Sequence, residues 1–338
     1  MTQTNVPGVE TGRRAGQAPQ KSNPRWVESG YGHKVTSQDE LMRAISRIGT
    51  LQEGRTYVWR GIEDSRHRMA SSLYRSLSEE QTGRKGTTPT VRIGENQLRA
   101  RERALLREAR EWGVGLELGG LATDLHLLAT MQHHDVPTRL LDVTSNPMTA
   151  LWFACQKAQP NDAAGALFAI DVTDLPIYPT LDADTPTYGS IQHTVRWSLR
   201  KAFKESAENS RPFLVRPVIR DSRMSAQEGL LISGWIPNQS TVAGVDDPAL
   251  VAPIPPGTEL LSNLFSPTER LQGRPPSLPF CVLVISNPIK RRMRAHLKGT
   301  YNRTRRVLFP DIEGMRDALL RGDLDLKLEP DELPILDD

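Results

Sequence analysis

The sequence predicts an α+β fold on three observations. Helical periodicities gather mostly in the first half of the chain, short apolar runs gather in the second, and no regular strand–helix alternation joins them. The segment from Val35 to Gly49 opens with Ser37 and Glu40 at capping-box spacing and continues with Leu41, Ala44, Ile45 and Ile48 at helical intervals, with Gly49 as its stop. The run from Thr56 to Trp59 reads as a strand that delivers Arg60 and Gly61 to a turn. Residues 78–96, polar and punctuated by Gly and Pro, read as a mobile insertion. From Gln97 to Trp112, Leu98, Leu105, Ala109 and Trp112 share one stripe, which predicts an amphipathic helix, and a further helix is expected over Leu121 to Gln132. Pro147 to Lys157, apolar on most sides and opening on Pro, reads as a buried helix. Ala166–Val172, Phe213–Ile219, Leu230–Trp235 and Phe280–Ile285 read as strands, with a Pro-rich linker between the last two.

Composition narrows the class. Hydrophobic residues make up 38% of the 338 positions and charged residues 25%, which excludes collagen, coiled coil and wholesale disorder. No apolar run approaches the ~18 residues of a membrane helix, and the first 24 residues lack the apolar core of a secretory signal. Cys155 and Cys281 are the only cysteines and form no CxxC, which fits a reducing cytoplasm. These features divide the chain into an arm at 1–24, a single domain at 25–320 and an acidic tail at 321–338. Net charge is only +3, but its distribution is uneven. Lys290 to Arg306 holds eight basic residues and no acid, whereas Asp323 to Asp338 holds seven acids against Lys327. The basic run could meet phosphate backbones, although Tyr301 alone offers little stacking and a solvated face is the favoured account.

The densest polar cluster lies between Met131 and Ala154. Thr144, Ser145 and Asn146 precede Pro147, so they stand at a helix N-terminus, either as a plain cap or where free N–H groups favour an anion. Arg139 and Asp142, three apart, read as a local or buried ion pair. His133, His134 and Asp135 invite a metal reading, but adjacent histidines diverge and no third ligand stands at recognisable spacing. Gly113, Gly115 and Gly119 follow a helix rather than a strand, the wrong context for a dinucleotide-binding Rossmann turn. Walker, HExxH and GxSxG motifs are absent from the sequence.

Trp59-Arg60-Gly61, Ser72-Leu73-Tyr74-Arg75, the Gln132–Ala154 block with PTRLLDVTSNP, Arg223 with Gln227 and Gly229, and Phe309-Pro310-Asp311 together resemble the FRG-domain family, named for a Phe-Arg-Gly motif. The resemblance runs from about Tyr57 to Gly314; Trp59 replaces the eponymous Phe, Asp135 a Gly and Val143 an aromatic. A second, weaker resemblance is to ADP-ribosyltransferases: an aromatic-Arg-Gly strand, a Thr/Ser pair before a buried helix, then a Gln/Glu segment. That resemblance implies a core of two small sheets forming a cleft for NAD, here as substrate, with N-terminal and inserted helices. Arg60, Gly61, Thr144, Ser145, Asn146 and Arg139 would bind NAD, since a planar guanidinium fork suits phosphate oxygens.

Glu228, with Gln227 beside it, is the candidate acid for the ribose, and His133 an alternative. Those transferases place Glu two residues after Gln or Glu, where this chain has Gly229; adjacent strand residues also face opposite ways, so either the strand bulges or the usual acid is missing. The resemblance further implies a macromolecular acceptor, RNA or DNA through Lys290 to Arg306 or a protein, a toxin or antiviral-defence role, and a cognate antitoxin or regulatory partner. Two rivals stay open. One is a nuclease-type enzyme using His133, His134 and Asp142; the other is a non-catalytic nucleotide-binding or sensor module in which Arg60, Arg139 and Asp142 hold the fold.

Overall fold

The computed structural model describes residues 25–28, 31–50, 54–83, 91–117, 120–159, 162–180, 197–209, 211–217, 222–236 and 280–324. The expected arm at 1–24, nearly all of the Pro-rich linker and most of the acidic tail fall outside the described residues. In chain order the elements are α1 (Arg25–Glu28), β1 (Gly32–Lys34), α2 (Gln38–Thr50), β2 (Tyr57–Ile62), α3 (Ser72–Thr82), α4 (Glu95–Glu111), β3 (Leu116–Glu117), β4 (Gly120–Leu121), α5 (Asp124–His133), β5 (Leu141–Thr144) and α6 (Pro147–Ala154). There follow β6 (Gly165–Asp171), β7 (Ile177–Pro179), α7 (Trp197–Asn209), β8 (Phe213–Arg216), α8 (Ser222–Ala226), β9 (Gly229–Ser233), β10 (Phe280–Ile285), α9 (Asn287–Gly299), α10 (Arg305–Leu308) and α11 (Ile312–Leu320).

Eight strands form one open sheet in the order β1-β10-β6-β2-β5-β9-β8-β7, with β3 and β4 paired apart. The edge pairs β1–β10 and β7–β8 are parallel and the interior pairs antiparallel, a mixed arrangement compatible with the α+β prediction. Two small sheets were expected, and the described residues instead hold this single large one. It is nearly divided, however. β2 pairs with β6 over six residues and β5 with β9 over four, but β2 and β5 meet only at Trp59↔Thr144. Each half of the sheet therefore has four strands, hinged at one register pair.

The strands nearest the middle explain their own burial: GALFAID of β6 and FCVLVI of β10 are apolar at nearly every position, as strands covered on both faces must be. One face packs Leu41 and Ile48 of α2, Leu151 and Trp152 of α6, and Met293 and Leu297 of α9. On the other, Trp26 meets the Phe168 ring edge-on at 4.9 Å and Tyr31 stacks on Phe280 at 4.4 Å. α5 and α7 cover β8 and β9 through Leu125, Leu128, Phe203 and Phe213.

α6 lies against β2 because Gly61 has no side chain: a Cβ there would stand 1.8 Å from the Ala150 carbonyl oxygen. This corrects the expected turn. β2 runs straight through Arg60 and Gly61, and the glycine serves helix approach rather than chain reversal. Residues 78–82, read as part of an insertion, instead complete α3, which Ser71 caps by accepting from the Tyr74 N–H and Gly83 closes at φ 64°. The expected Arg139–Asp142 pair is also replaced. Arg139, 2% exposed, donates from Nε to Glu102 Oε1 at 2.7 Å and from Nη1 to Glu95 Oε1 at 3.1 Å, while its guanidinium lies 4.0 Å above the Phe203 ring. It joins α4 to α7 inside the core.

Candidate functional site

Where β2 and β5 separate, a cleft of about 220 Å³ opens. Trp59, Arg60 and Gly61 line it from β2, and Asp142, Val143 and Thr144 from β5. Thr149, Ala150 and Phe153 of α6 form one wall; Gln132 and His133 close the end of α5 over it, and Arg223, Gln227 and Phe309 reach it from later in the chain.

Arg60 spans the split. Its Nη1 donates to the Asp142 backbone carbonyl, as a ladder bond otherwise would, and stands 4.0 Å from the Asp142 carboxylate. Its Nε is buried with no hydrogen-bond partner among the described residues. Burial lowers the guanidinium's pKa from its ordinary value; the Asp142 charge opposes that shift and the nearby Arg75 charge adds to it. An arginine stays protonated under these conditions, so the cleft holds a fixed positive charge with donor capacity to spare.

The Asp142 carboxylate is anchored from the opposite side. Gln132 Nε2 donates to Asp142 Oδ2 at 2.8 Å, and Gln132 Oε1 accepts from Thr138 Oγ1 at 2.6 Å. Thr138 is strapped in turn to Ser72 at the start of α3, its N–H donating to Ser72 Oγ at 3.1 Å. Gln132 is held by the way α5 ends: the Val136 N–H donates to the Met131 carbonyl and the Asp135 N–H to that of Gln132, a Schellman closure with Asp135 at φ 59°. The position where the family resemblance expects Gly is thus one where the backbone is left-handed.

Thr149 is fully buried, lines the cleft, and its Oγ1 has no hydrogen-bond partner among the described residues. A buried hydroxyl without a partner costs about 1–3 kcal/mol. Beside it the wall is aromatic: Phe309 packs at 5.9 Å from Trp152 and 6.1 Å from Phe153, with the Arg223 and Arg305 guanidiniums 4.4 and 5.2 Å from its ring. The cleft therefore combines a guanidinium, a carboxylate, an unsatisfied hydroxyl and a flat apolar wall.

Of the residues singled out from sequence, Arg60, Gly61, His133, Asp142, Thr144 and Gln227 line this cleft, whereas Ser145, Asn146, Glu228 and Arg139 do not. Gln227 and Glu228 sit between α8 and β9, not within a strand. Glu228 takes φ 51°, and its Oε1 accepts from Asn146 Nδ2 at 2.7 Å and lies 3.3 Å from Arg303 Nη2. Gln227 Nε2 donates to the Leu308 carbonyl. Thr144 Oγ1 donates to the Gln227 carbonyl at 2.7 Å and the Ser145 N–H to that of Glu228 at 3.2 Å, so this pair straps the turn to β5. Asn146 is the plain cap of α6, its Oδ1 accepting from the Met148 and Thr149 N–H groups. His134 points away, 3.6 Å from Glu313, and no three His, Cys, Asp or Glu side chains converge on a metal position among the described residues.

The basic run divides as well: Lys290 is buried with Nζ donating to the Glu63 and Ala163 carbonyls, while Arg291, Arg292, Arg294, Lys298 and Arg306 remain exposed. No described helix is long and apolar enough to cross a membrane. Gln132, Thr149 and Phe309 were not singled out as site residues from sequence; Gln132 and Phe309 lay in quoted motifs, and Thr149 carried no local signal.

A mixed α/β chain with its cleft at a split in one sheet is the class these features define. Residues 55–163 match the family model of the FRG domain. That segment spans β2 to α6 and supplies Arg60, Gln132, His133, Asp142 and Thr149 to the cleft. No curated protein and no solved structure matches the chain.

Proposed function

We propose that the cleft binds NAD as substrate and cleaves its nicotinamide–ribose bond, passing ADP-ribose to a macromolecule or to water. The observation that carries this reading is Arg60: a charged guanidinium in a split sheet, with a buried N–H unpaired among the described residues, suits a pyrophosphate oxygen. Thr149 Oγ1 and the Phe153–Phe309 wall suit an amide-bearing planar ring. A cleft of about 220 Å³ falls short of the ~300–1,000 Å³ of ordinary ligand sites, so it takes the nicotinamide-ribose end with a phosphate at its mouth. Thr144 and His133 complete that end, with Gly61 letting α6 form its wall. The exposed arginines of α9 make RNA or DNA the favoured acceptor by charge. A toxin or defence effector in the cytoplasm, held in check by an antitoxin or regulatory partner, is the setting the resemblance to ADP-ribosyltransferases offers.

The test is nicotinamide release from NAD by the purified chain, with mass spectrometry of added RNA, DNA and lysate proteins for attached ADP-ribose. Release with a mass gain on one of these supports transfer. Release without a mass gain supports hydrolysis, and intact NAD throughout overturns the reading in favour of a binding module.

A further inference from the structure

We infer that Asp142 is the carboxylate that faces the breaking bond, and that Gln132 positions it. The inference rests on the NAD reading and names its acid, in place of the Glu228 that the resemblance suggested. Glu228 does not line the cleft, and its carboxylate is engaged by Asn146 and Arg303. Asp142 does line it. Its side chain is 58% exposed, with Oδ2 anchored by Gln132 and Oδ1 without a hydrogen bond among the described residues. One oxygen is thus fixed by protein and the other offered to a ligand. The anchor is itself preorganised: Thr138 holds the Gln132 amide, Ser72 holds Thr138, and the left-handed Asp135 fixes the end of α5. A carboxylate that merely balanced Arg60 would not need three further residues to set its orientation.

The chemistry follows from that placement. The C1′–N1 bond of NAD breaks, its electron pair leaves on the nicotinamide nitrogen and neutralises the ring, and C1′ is left with oxocarbenium character. The negative charge of Asp142 stabilises that cation. The incoming water or acceptor group forms the new bond at C1′ and gives its proton to Asp142, which releases it to solvent. The charged or titratable groups that line the cleft with it are Arg60 from β2, His133 and Asp135 at the end of α5, and Arg223 from α8.

The test measures NAD turnover and NAD binding for the wild-type chain, Asp142→Asn, Gln132→Ala and Glu228→Gln, with circular dichroism as the folding check. Asp142→Asn keeps the shape of an exposed side chain, so the fold is retained. The expected result is a kcat loss of about 100-fold or more for Asp142→Asn, with Kd for NAD changed by less than about threefold. Gln132→Ala removes the group that orients the carboxylate, so kcat falls about tenfold while KM changes by less than about threefold. A merely structural Gln132 would lower stability and leave kcat of the folded protein unchanged, which overturns its positioning role. Glu228→Gln slower than Asp142→Asn overturns the assignment of the acid while leaving the NAD reading standing. A wild-type chain that leaves NAD intact overturns both.

Discussion

Trp59 stands opposite Thr144 across the middle of the sheet, and among the described residues this is the one register pair that joins β2 to β5. On one side of it Arg60 takes over from the missing ladder, bonding the Asp142 carbonyl with a side chain instead of a backbone N–H. That carbonyl keeps a partner where the two half-sheets diverge. The divergence is what makes room for a ligand beside a fixed positive charge.

Gly61 sets how closely α6 approaches that split. Gly61→Ala places a methyl 1.8 Å from the Ala150 carbonyl oxygen, which neither backbone can yield cheaply. The expected cost is about 3 kcal/mol or more, read as a lowered midpoint in urea unfolding with an unchanged slope.

Arg139 pairs with two buried carboxylates, and Arg139→Ala leaves Glu102 without its ion partner while Glu95 keeps Arg99 at 3.3 Å. The expected loss is about 3–5 kcal/mol by chemical denaturation. Burial already raises the Glu102 carboxyl above its ordinary 4.5 against the pull of Arg139, and without Arg139 it rises further. A raised folded value means the unfolded chain gives up its proton first, so stability is kept at low pH and lost as pH climbs above about 4.5. The variant should therefore recover part of its deficit when the titration is repeated near pH 5 instead of pH 7.

Asp135 occupies a left-handed position at the close of α5, where a Cβ is a liability. Asp135→Gly should stabilise the chain by up to about 1 kcal/mol in thermal unfolding. An equal loss would mean that the Asp side chain makes a contact worth more than the strain.

Thr149 separates site from scaffold. Thr149→Val removes a buried hydroxyl that lacks a partner, so the ligand-free chain should be unchanged or more stable by about 1 kcal/mol. NAD affinity should fall about tenfold in the same variant, by calorimetric titration. Loss of stability with affinity intact would assign the hydroxyl to the fold.

The parts of this structure legible from sequence are those fixed by neighbours in the chain. Asn146 and Pro147 announce the start of α6, and the alternation-free apolar run at Phe280–Ile285 announces a doubly buried strand. Even the expectation of Gly at Asp135 has a local cause, since helix ends favour a left-handed residue there. What was misread depends on partners far along the chain. Arg139 stands three residues from Asp142 but pairs with Glu102 and Glu95, 37 and 44 positions away. Gly61 looks like a turn glycine until α6, some 90 residues on, is laid across it. The resemblance to ADP-ribosyltransferases puts Glu228 in a strand; the strand starts one residue later, at Gly229, and its carboxylate turns toward Asn146. Thr149 gives no sign of its unsatisfied hydroxyl, since that depends on what packing leaves around it.

The most direct test of the account is isothermal titration of NAD into the wild-type chain and Arg60→Ala under identical low-salt conditions. The account predicts saturable one-site binding by the wild type and at least about tenfold weaker binding by the variant, because a charge-assisted phosphate contact is lost. Equal binding by both folded proteins, or none by the wild type, would contradict the assignment of the split-sheet cleft as a nucleotide site.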